Sequence, residues 1–310
     1  MKKWILKAVV QKGISFLPFR HNINYFFQKY ITKGVFLSDE YFQDRLQHAK
    51  EHIDACQKYI SSVNDKVTLE LGTGWYPVVP ISMFLAGAAK IHTLDISPLC
   101  DKEKLCATLE MFLHYQAKGE INKFFPPLPH RFDLLKDVQN NAGQLTFEQM
   151  LAKLNIVYTV GDARNLPLED NTINLVHSNN TFEHVYPEVL TGLLTEFKRV
   201  VKPEGIMSHF VDMSDHFAHF DKSISIYNFL KFSDKKWALI DNDVQPQNRW
   251  RLTDYKSLYE NLNLNLLEIT TRKGNPELLK SIRIHEKFNK ISPDQLAISH
   301  CLLISNVVET

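Results

Sequence analysis

The residues best suited to chemistry in this 310-residue chain fall into four groups. The first is Glu70-Leu-Gly72-Thr73-Gly74, where two glycines one residue apart permit a sharp turn and let a ligand approach the backbone beside a carboxylate. Asp95 follows Gly74 by 21 residues, close to the ~20-residue spacing at which a carboxylate grips ribose hydroxyls in a nucleotide-binding βαβ unit. Asp162 and Ala163 come after Val160-Gly161 and form the third group. The fourth is dispersed: His184 in Ser178-Asn179-Asn180-Thr-Phe-Glu-His184, then His216, His219, Asp221, Asn248 and Arg249 in a stretch rich in aromatic residues. An imidazole with an ordinary pKa of ~6.5 suits proton transfer, which makes His184 the expected catalytic residue. Stacking and hydrogen bonding by the dispersed group suit a polar, hydroxylated substrate. His216, His219 and Asp221 are acceptable metal ligands, but their spacing matches no established zinc pattern and no fourth group is evident, so no metal is expected.

These residues need elements to place them. Short apolar runs at 67–71, 91–95, 155–160, 173–177, 206–211, 264–270 and 300–305 read as strands. Helical periodicity lies between most of them, at 77–88, 98–117, 187–200 and 253–262. Such alternation predicts an α/β fold with a doubly wound, mostly parallel, seven-stranded sheet, because parallel neighbours need crossovers of a dozen or more residues. Glu70-Gly74, Asp95 and Asp162 then end three successive strands, at the edge where ligands bind such sheets. Residues 1–60 read as a helical arm, with Phe26 and Tyr30 among its apolar positions and Pro18 and Gly34 as breaks. Residues 61–310 read as the catalytic domain, carrying two long insertions at 118–153 and 212–250 that are expected to serve as lids or substrate walls.

Composition narrows the function. A chain with 44% hydrophobic and 23% charged residues has enough apolar material for a packed core and is not a disordered type. Net charge is +1, yet residues 1–50 hold nine Lys or Arg against three Asp or Glu, so the catalytic region is slightly acidic and a nucleic-acid partner is not expected. Four cysteines without a C-x-x-C spacing indicate neither a zinc knuckle nor a disulfide framework, and a cytoplasmic location is the default. Two readings of the basic arm stay open. Its apolar side packs on the protein, or it forms a peripheral contact with the inner face of an anionic membrane.

In order along the chain, ELGTG at 70–74, TLDIS at 93–97, GDARNLPLEDNTINLV at 161–176, SNNTFEHV at 178–185 and FKRVVKPEG at 197–205 resemble the class I S-adenosylmethionine-dependent methyltransferases. The resemblance implies the Rossmann-like fold and S-adenosylmethionine as cofactor. It implies that Glu70 and the Gly72-Thr73-Gly74 loop hold the methionine part, that Asp95 binds the ribose with Ile96 against the adenine, and that Asp162 and Ala163 meet the adenine edge. It also places Asn179 at the cofactor. Many members carry a third glycine where this chain has Tyr76, so the Trp75-Tyr76 pair must turn away from the cofactor or narrow the site.

The rival nucleotide reading, a nicotinamide-dependent oxidoreductase, expects G-x-G-x-x-G, whereas Pro77 stands at its third glycine. A sulfonium bears positive charge and no phosphate, so flanking acids suit it better. A catalytically silent methyltransferase-like binding subunit is the other alternative, and Tyr76 is the feature that favours it. Methylation of a cytosine ring carbon needs a cysteine nucleophile near the site, and the Asn/Asp-Pro-Pro-aromatic motif of nucleic-acid amine methylases is missing where Ser178-Asn-Asn-Thr stands. The expected acceptor is a hydroxyl or amine of a small molecule or saccharide. A weaker resemblance, in the GTGWYP loop and the stretch from His216, points to bacterial surface-polysaccharide or secondary-metabolism enzymes. Oligomeric state is left open.

Overall fold

The computed structural model describes residues 2–18 and 36–308. Phe26, Tyr30 and Gly34, which carried part of the helical-arm reading, lie outside the described residues. The arm that is described consists of α1 (Lys3–Ser15) and α2 (Asp39–Tyr59), the latter started by the Ser38 hydroxyl accepting from the Tyr41 N–H. The remainder runs β1 (Val67–Leu71), α3 (Val78–Leu85), β2 (Lys90–Asp95), α4 (Lys102–Ala117), α5 (Pro129–Asn140), α6 (Phe147–Lys153), β3 (Ile156–Val160), β4 (Ile173–Asn179), α7 (Pro187–Val200) and β5 (Val201–Asp212). Then come α8 (Phe217–Phe220), α9 (Asp234–Ile240), α10 (Leu252–Asn261), β6 (Leu264–Lys273), α11 (Pro276–Lys280), α12 (Pro293–Leu296) and β7 (Ile298–Val307).

The strands form one seven-stranded sheet in the order β3-β2-β1-β4-β5-β7-β6, as a doubly wound α/β reading requires. β7 runs antiparallel between β5 and β6, and the other pairings are parallel. Register decides where the chemistry collects. Leu71 pairs with both Leu94 and Ser178, and Asn179 pairs with Phe210, so β2, β1, β4 and β5 finish at nearly one level. Asp95, the Gly72 turn, Asn179 and Asp212 therefore form a row at the carboxyl edge.

Each sheet face is covered. One core holds Phe42 of α2, Phe84 of α3, Phe112 of α4 and Leu135 of α5; the other holds Leu194 and Phe197 of α7 with Tyr255 and Tyr259 of α10. α3 is apolar apart from Ser82 and all eight of its residues are buried, and β4 is buried along its whole length. A third, smaller core gathers Trp4 and Ala8 of α1, Phe217, Tyr227, Phe229 and Trp237 of the second insertion, and Leu279, Phe288 and Leu296 from a 274–297 segment between β6 and β7. This cap includes an insertion, 274–297, that the sequence analysis did not single out. Arg251 ties the cap to the sheet: fully buried, it donates to the carbonyls of Met213, Leu296 and Ile298.

The first insertion corrects an expectation. Residues 118–153 are no lid; they fold into α5 and α6, whose Phe132, Leu135, Val138, Met150 and Leu151 complete the first core, and none of them lines the cleft described below. At α1 the arm packs on the protein, the first of the two readings left open. α1 buries Trp4 and Ala8 in the cap, Ile14 is buried too, and Lys12 donates to the carbonyls of Ala238 and Asp241, while Leu6, Val9, Phe16 and Leu17 stay exposed. Among the described residues no helix is long and apolar enough to cross a membrane.

Candidate active site

A cleft of about 1060 Å3 opens along the carboxyl edge of the sheet. Its first end is shaped by hydrogen bonds between neighbouring strand ends. The Gly72 N–H donates to the Leu94 carbonyl at 2.7 Å, and the Gly74 N–H donates to Asp95 Oδ2 at 3.0 Å. Gly72 and Gly74 sit at φ of +87° and +68°, a region that side chains disfavour. They differ in surroundings: a Cβ on Gly72 would lie 2.4 Å from Thr181 Oγ1, whereas one on Gly74 would meet nothing within 4 Å. Gly72 is needed for packing against the β4 end, and Gly74 leaves bare backbone facing open space.

Glu70 lies at the floor, almost fully buried, and accepts from the Thr93 hydroxyl at 2.8 Å. Burial pushes its carboxyl up to about 8; the Thr93 bond opposes this and the charge of Asp95 adds to it. Burial likewise raises Asp95, against the Gly74 and Ser97 N–H donors. Ile96 is 72% exposed at the cleft wall, an apolar face at a strand end. Asp162 and Ala163 line the same wall, but the Asp162 carboxylate is gripped by Arg164 through Nε and Nη2 at 3.0 and 2.5 Å. Asn179 faces the cleft with Oδ1 accepting from His52 Nε2 at 2.9 Å, and its Nδ2 is buried with no partner among the described residues. Since that oxygen only accepts, His52 Nε2 carries the proton and Nδ1 accepts from Ser208 at 2.8 Å.

The second end is lined by Tyr41, Arg45, His184, Tyr186, Asp212, His216, His219 and the 243–246 loop. His184 stands on a single 3-10 turn, Phe182–His184, after β4. Its Nδ1 lies 2.6 Å from the Pro246 carbonyl, which can only accept, so Nδ1 is protonated and Nε2 holds the lone pair. Burial, and then the neighbouring His216, lower its pKa to about 4, so the ring is neutral near pH 7. Asp212 ends β5, with Oδ1 accepting from the Ser214 N–H at 2.8 Å. Burial would raise its carboxyl, yet the imidazoles of His216 and His219 hold it below the usual carboxylate range.

Of the dispersed group His184, His216 and His219 reach the cleft, and Asp221, Asn248 and Arg249 do not. Asp221 instead accepts from the Trp4 and Ser223 N–H groups, anchoring α1. Asn248 spends its amide on the carbonyls of Phe182 and Val185, bracing the His184 turn from behind. Arg249 donates to the carbonyls of Phe229 and Phe232 and pairs with Asp234. These three are structural, because each spends its polar atoms on backbone groups of the fold. Conversely, Tyr41, Arg45, Tyr186 and Asp212 were not foreseen. Tyr41 and Arg45 sit four apart on one face of α2, and Asp212 ends a strand just as Asp95 does.

Comparison with known proteins bears on this geometry. Residues 129–208 match the family model described as a methyltransferase domain. No curated protein matches the chain in sequence. Among solved structures, similar folds include a protein assigned as a methyltransferase from Bacillus halodurans (14% identity, 82% of this chain and 96% of that one, TM-score 0.43). Others are the geranyl diphosphate C-methyltransferase of Streptomyces coelicolor (11%, 84% and 75%, 0.46) and a protein assigned as a sarcosine dimethylglycine methyltransferase from Galdieria sulphuraria (16%, 84% and 85%, 0.44). The span that matches the methyltransferase-domain family holds α5, α6, β3, β4, α7 and the first part of β5.

Proposed function

We propose that the chain is an S-adenosylmethionine-dependent methyltransferase that transfers the methyl group to a hydroxyl or amine of a small polar molecule or saccharide, of the kind found in surface-polysaccharide or secondary metabolism. The observation carrying this reading is that one cleft joins an acidic, glycine-turned end to an end rich in imidazoles, phenols and a guanidinium. Such a lining favours an acceptor dense in hydrogen-bonding groups over an apolar one.

The residues of the first end fit the cofactor. Glu70 is a buried carboxyl whose charge a cationic ligand would restore. Gly74 offers open backbone, Asn179 has an unpartnered amide nitrogen, and Ile96 presents an apolar face for a ring. Asp95 would take the ribose hydroxyls with the lone pairs not used by Gly74 and Ser97. Because Arg164 holds the Asp162 carboxylate, the backbone of Asp162 and Ala163 is the better match for the adenine edge. When bound, S-adenosylmethionine supplies a methyl carbon made electrophilic by a positive sulfur, and alignment with the acceptor provides most of the rate. His184 is assigned as the base: its Nε2 lone pair receives the acceptor proton while Nδ1 stays fixed on Pro246. Arg45, Tyr41 and Tyr186 hold acceptor hydroxyls. Tyr76 turns toward α2, its ring 6.0 Å from that of Tyr41.

Calorimetry with S-adenosylmethionine and S-adenosylhomocysteine, followed by a methyl-release assay over hydroxylated and amine acceptors, tests this reading. Binding of both ligands with turnover on at least one such acceptor supports it. Absence of binding by either ligand overturns it.

A further inference from the structure

We infer that a divalent transition-metal ion, zinc by preference, is held at the acceptor end of the cleft by the carboxylate of Asp212 and the imidazoles of His216 and His219. Asp212 Oδ2 stands 3.3 Å from His216 Nε2 and 3.6 Å from His219 Nε2. All three donor atoms lie within 4.8 Å of one another. Metal bonds of about 2.0–2.1 Å at tetrahedral angles set neighbouring donors about 3.4 Å apart, so this spacing needs little rearrangement.

Two further observations separate this cluster from an ordinary ion pair. His216 Nε2 is buried and, despite its proximity to Asp212, has no aligned hydrogen-bond partner among the described residues. Asp212 is held from behind: Oδ1 accepts from the Ser214 N–H and lies 3.4 Å from His300 Nε2, which turns Oδ2 to the two imidazoles. Supporting contacts of this sort orient the ligands of metal sites. A neighbouring trio, Glu183, His184 and His216, also brings its donor atoms within 4.8 Å. Glu183, however, is 1% exposed and lines no part of the cleft. Asp212, His216 and His219 all line it, which leaves the remaining coordination positions open to an acceptor. Two imidazoles and one carboxylate suit zinc and its first-row neighbours better than magnesium or calcium.

Resting on the methyl-transfer reading, the ion has a defined use. It binds the acceptor hydroxyl and lowers its pKa. The O–H bond breaks, its proton passes to Nε2 of His184, whose ring centre is 4.8 Å from that of His216, and the electron pair stays on the oxygen as the nucleophile.

Cobalt(II) titrated into chelator-stripped protein tests the site directly. Visible absorption bands saturating at one ion per chain, and bleached by zinc, are expected. Asp212→Asn and His219→Ala should each weaken binding by at least tenfold, while Asp221→Asn should not; His219 is 57% exposed, so its loss leaves folding intact. No stoichiometric binding, or binding undiminished in both ligand variants, overturns the inference. Stripped protein should still bind S-adenosylmethionine but lose methyl transfer to hydroxyl acceptors until zinc is restored, and full turnover without metal overturns the proposed use of the ion. Metal binding by a protein that methylates no acceptor would instead leave the site standing and remove the methyl-transfer reading.

Discussion

The two ends of the cleft are built by different means. The first end is local: Glu70 through Gly74, Asp95 to Ile96 and Asp162 to Ala163 are short runs that each finish a parallel strand, and hydrogen bonds between adjacent strand ends fix them. The second end is convergent. It draws Tyr41 and Arg45 from α2, His184 from the turn after β4, Asp212 from the end of β5, and His216, His219 and residues 243–246 from a cap with a separate apolar core. A site made by backbone at strand ends is tied to the fold, whereas a site made by insertions can change its acceptor without disturbing the sheet.

Several experiments would break or sharpen this contrast. The largest effect is expected at the convergent end, where His184→Ala should lower kcat by roughly 10²–10⁴-fold with cofactor affinity unchanged. Steady-state kinetics paired with calorimetry checks it, and parallel loss of cofactor binding would mean the two ends are not separable. At the local end, Glu70→Gln should weaken S-adenosylmethionine binding by about 10–100-fold, in line with removing one partner of a buried charged contact.

The pH dependence of the same residue follows from its carboxyl standing near 8 in the folded protein, against an ordinary value of 4.5. A cationic ligand prefers ionised Glu70, so affinity should rise about tenfold per pH unit up to about pH 8 and level off above it. Near pH 7, calorimetry in buffers of different ionisation heat should report close to one proton released per ligand, and none in the Gln variant. For ligand-free protein the sign is opposite: the fold favours the protonated form, so Glu70 costs stability as pH rises from about 4.5 to about 8. Thermal unfolding of the Gln variant should lose less over that window.

Smaller effects are expected from residues that sequence placed at substrate or adenine. Arg249→Met should lower Tm by several degrees through the lost cap contacts, leaving the acceptor KM unchanged. Asp162→Asn should change cofactor affinity by no more than about threefold, because Arg164 already occupies that carboxylate. A tenfold loss would return Asp162 to a direct role.

Legibility in the sequence followed the same division. The strands and the helices read at 98–117, 187–200 and 253–262, which form at Lys102–Ala117, Pro187–Val200 and Leu252–Asn261, were readable from periodicity, since a buried parallel strand is a short apolar run and a covering helix repeats every three to four residues. Two signals in 118–153 were missed. Pro129 begins α5, and Thr146 with Gln149 forms a capping box that starts α6, so the supposed lid announced itself as two packed helices. Sequence grouped His216 and His219 with Asp221, two residues on, as substrate contacts, whereas the carboxylate beside the two imidazoles is that of Asp212. Chain proximity favours both acids, and only the direction in which β5 enters the cap separates them.

By itself the amino-acid sequence determined the order of the strands and of the main covering helices between them, the glycine turn and the acids that finish three strands, because those depend on residues adjacent in the chain. Tertiary structure alone decided which polar side chains face the cleft. His184, Tyr41, Asp212 and Pro246 meet only after the chain has crossed the sheet, and buried carbonyls claimed Asn248 and Arg249 as hydrogen-bond donors before any substrate could. Desolvation enforces that choice: a buried donor or acceptor must find a partner in the fold, and only groups left over from that requirement remain for chemistry.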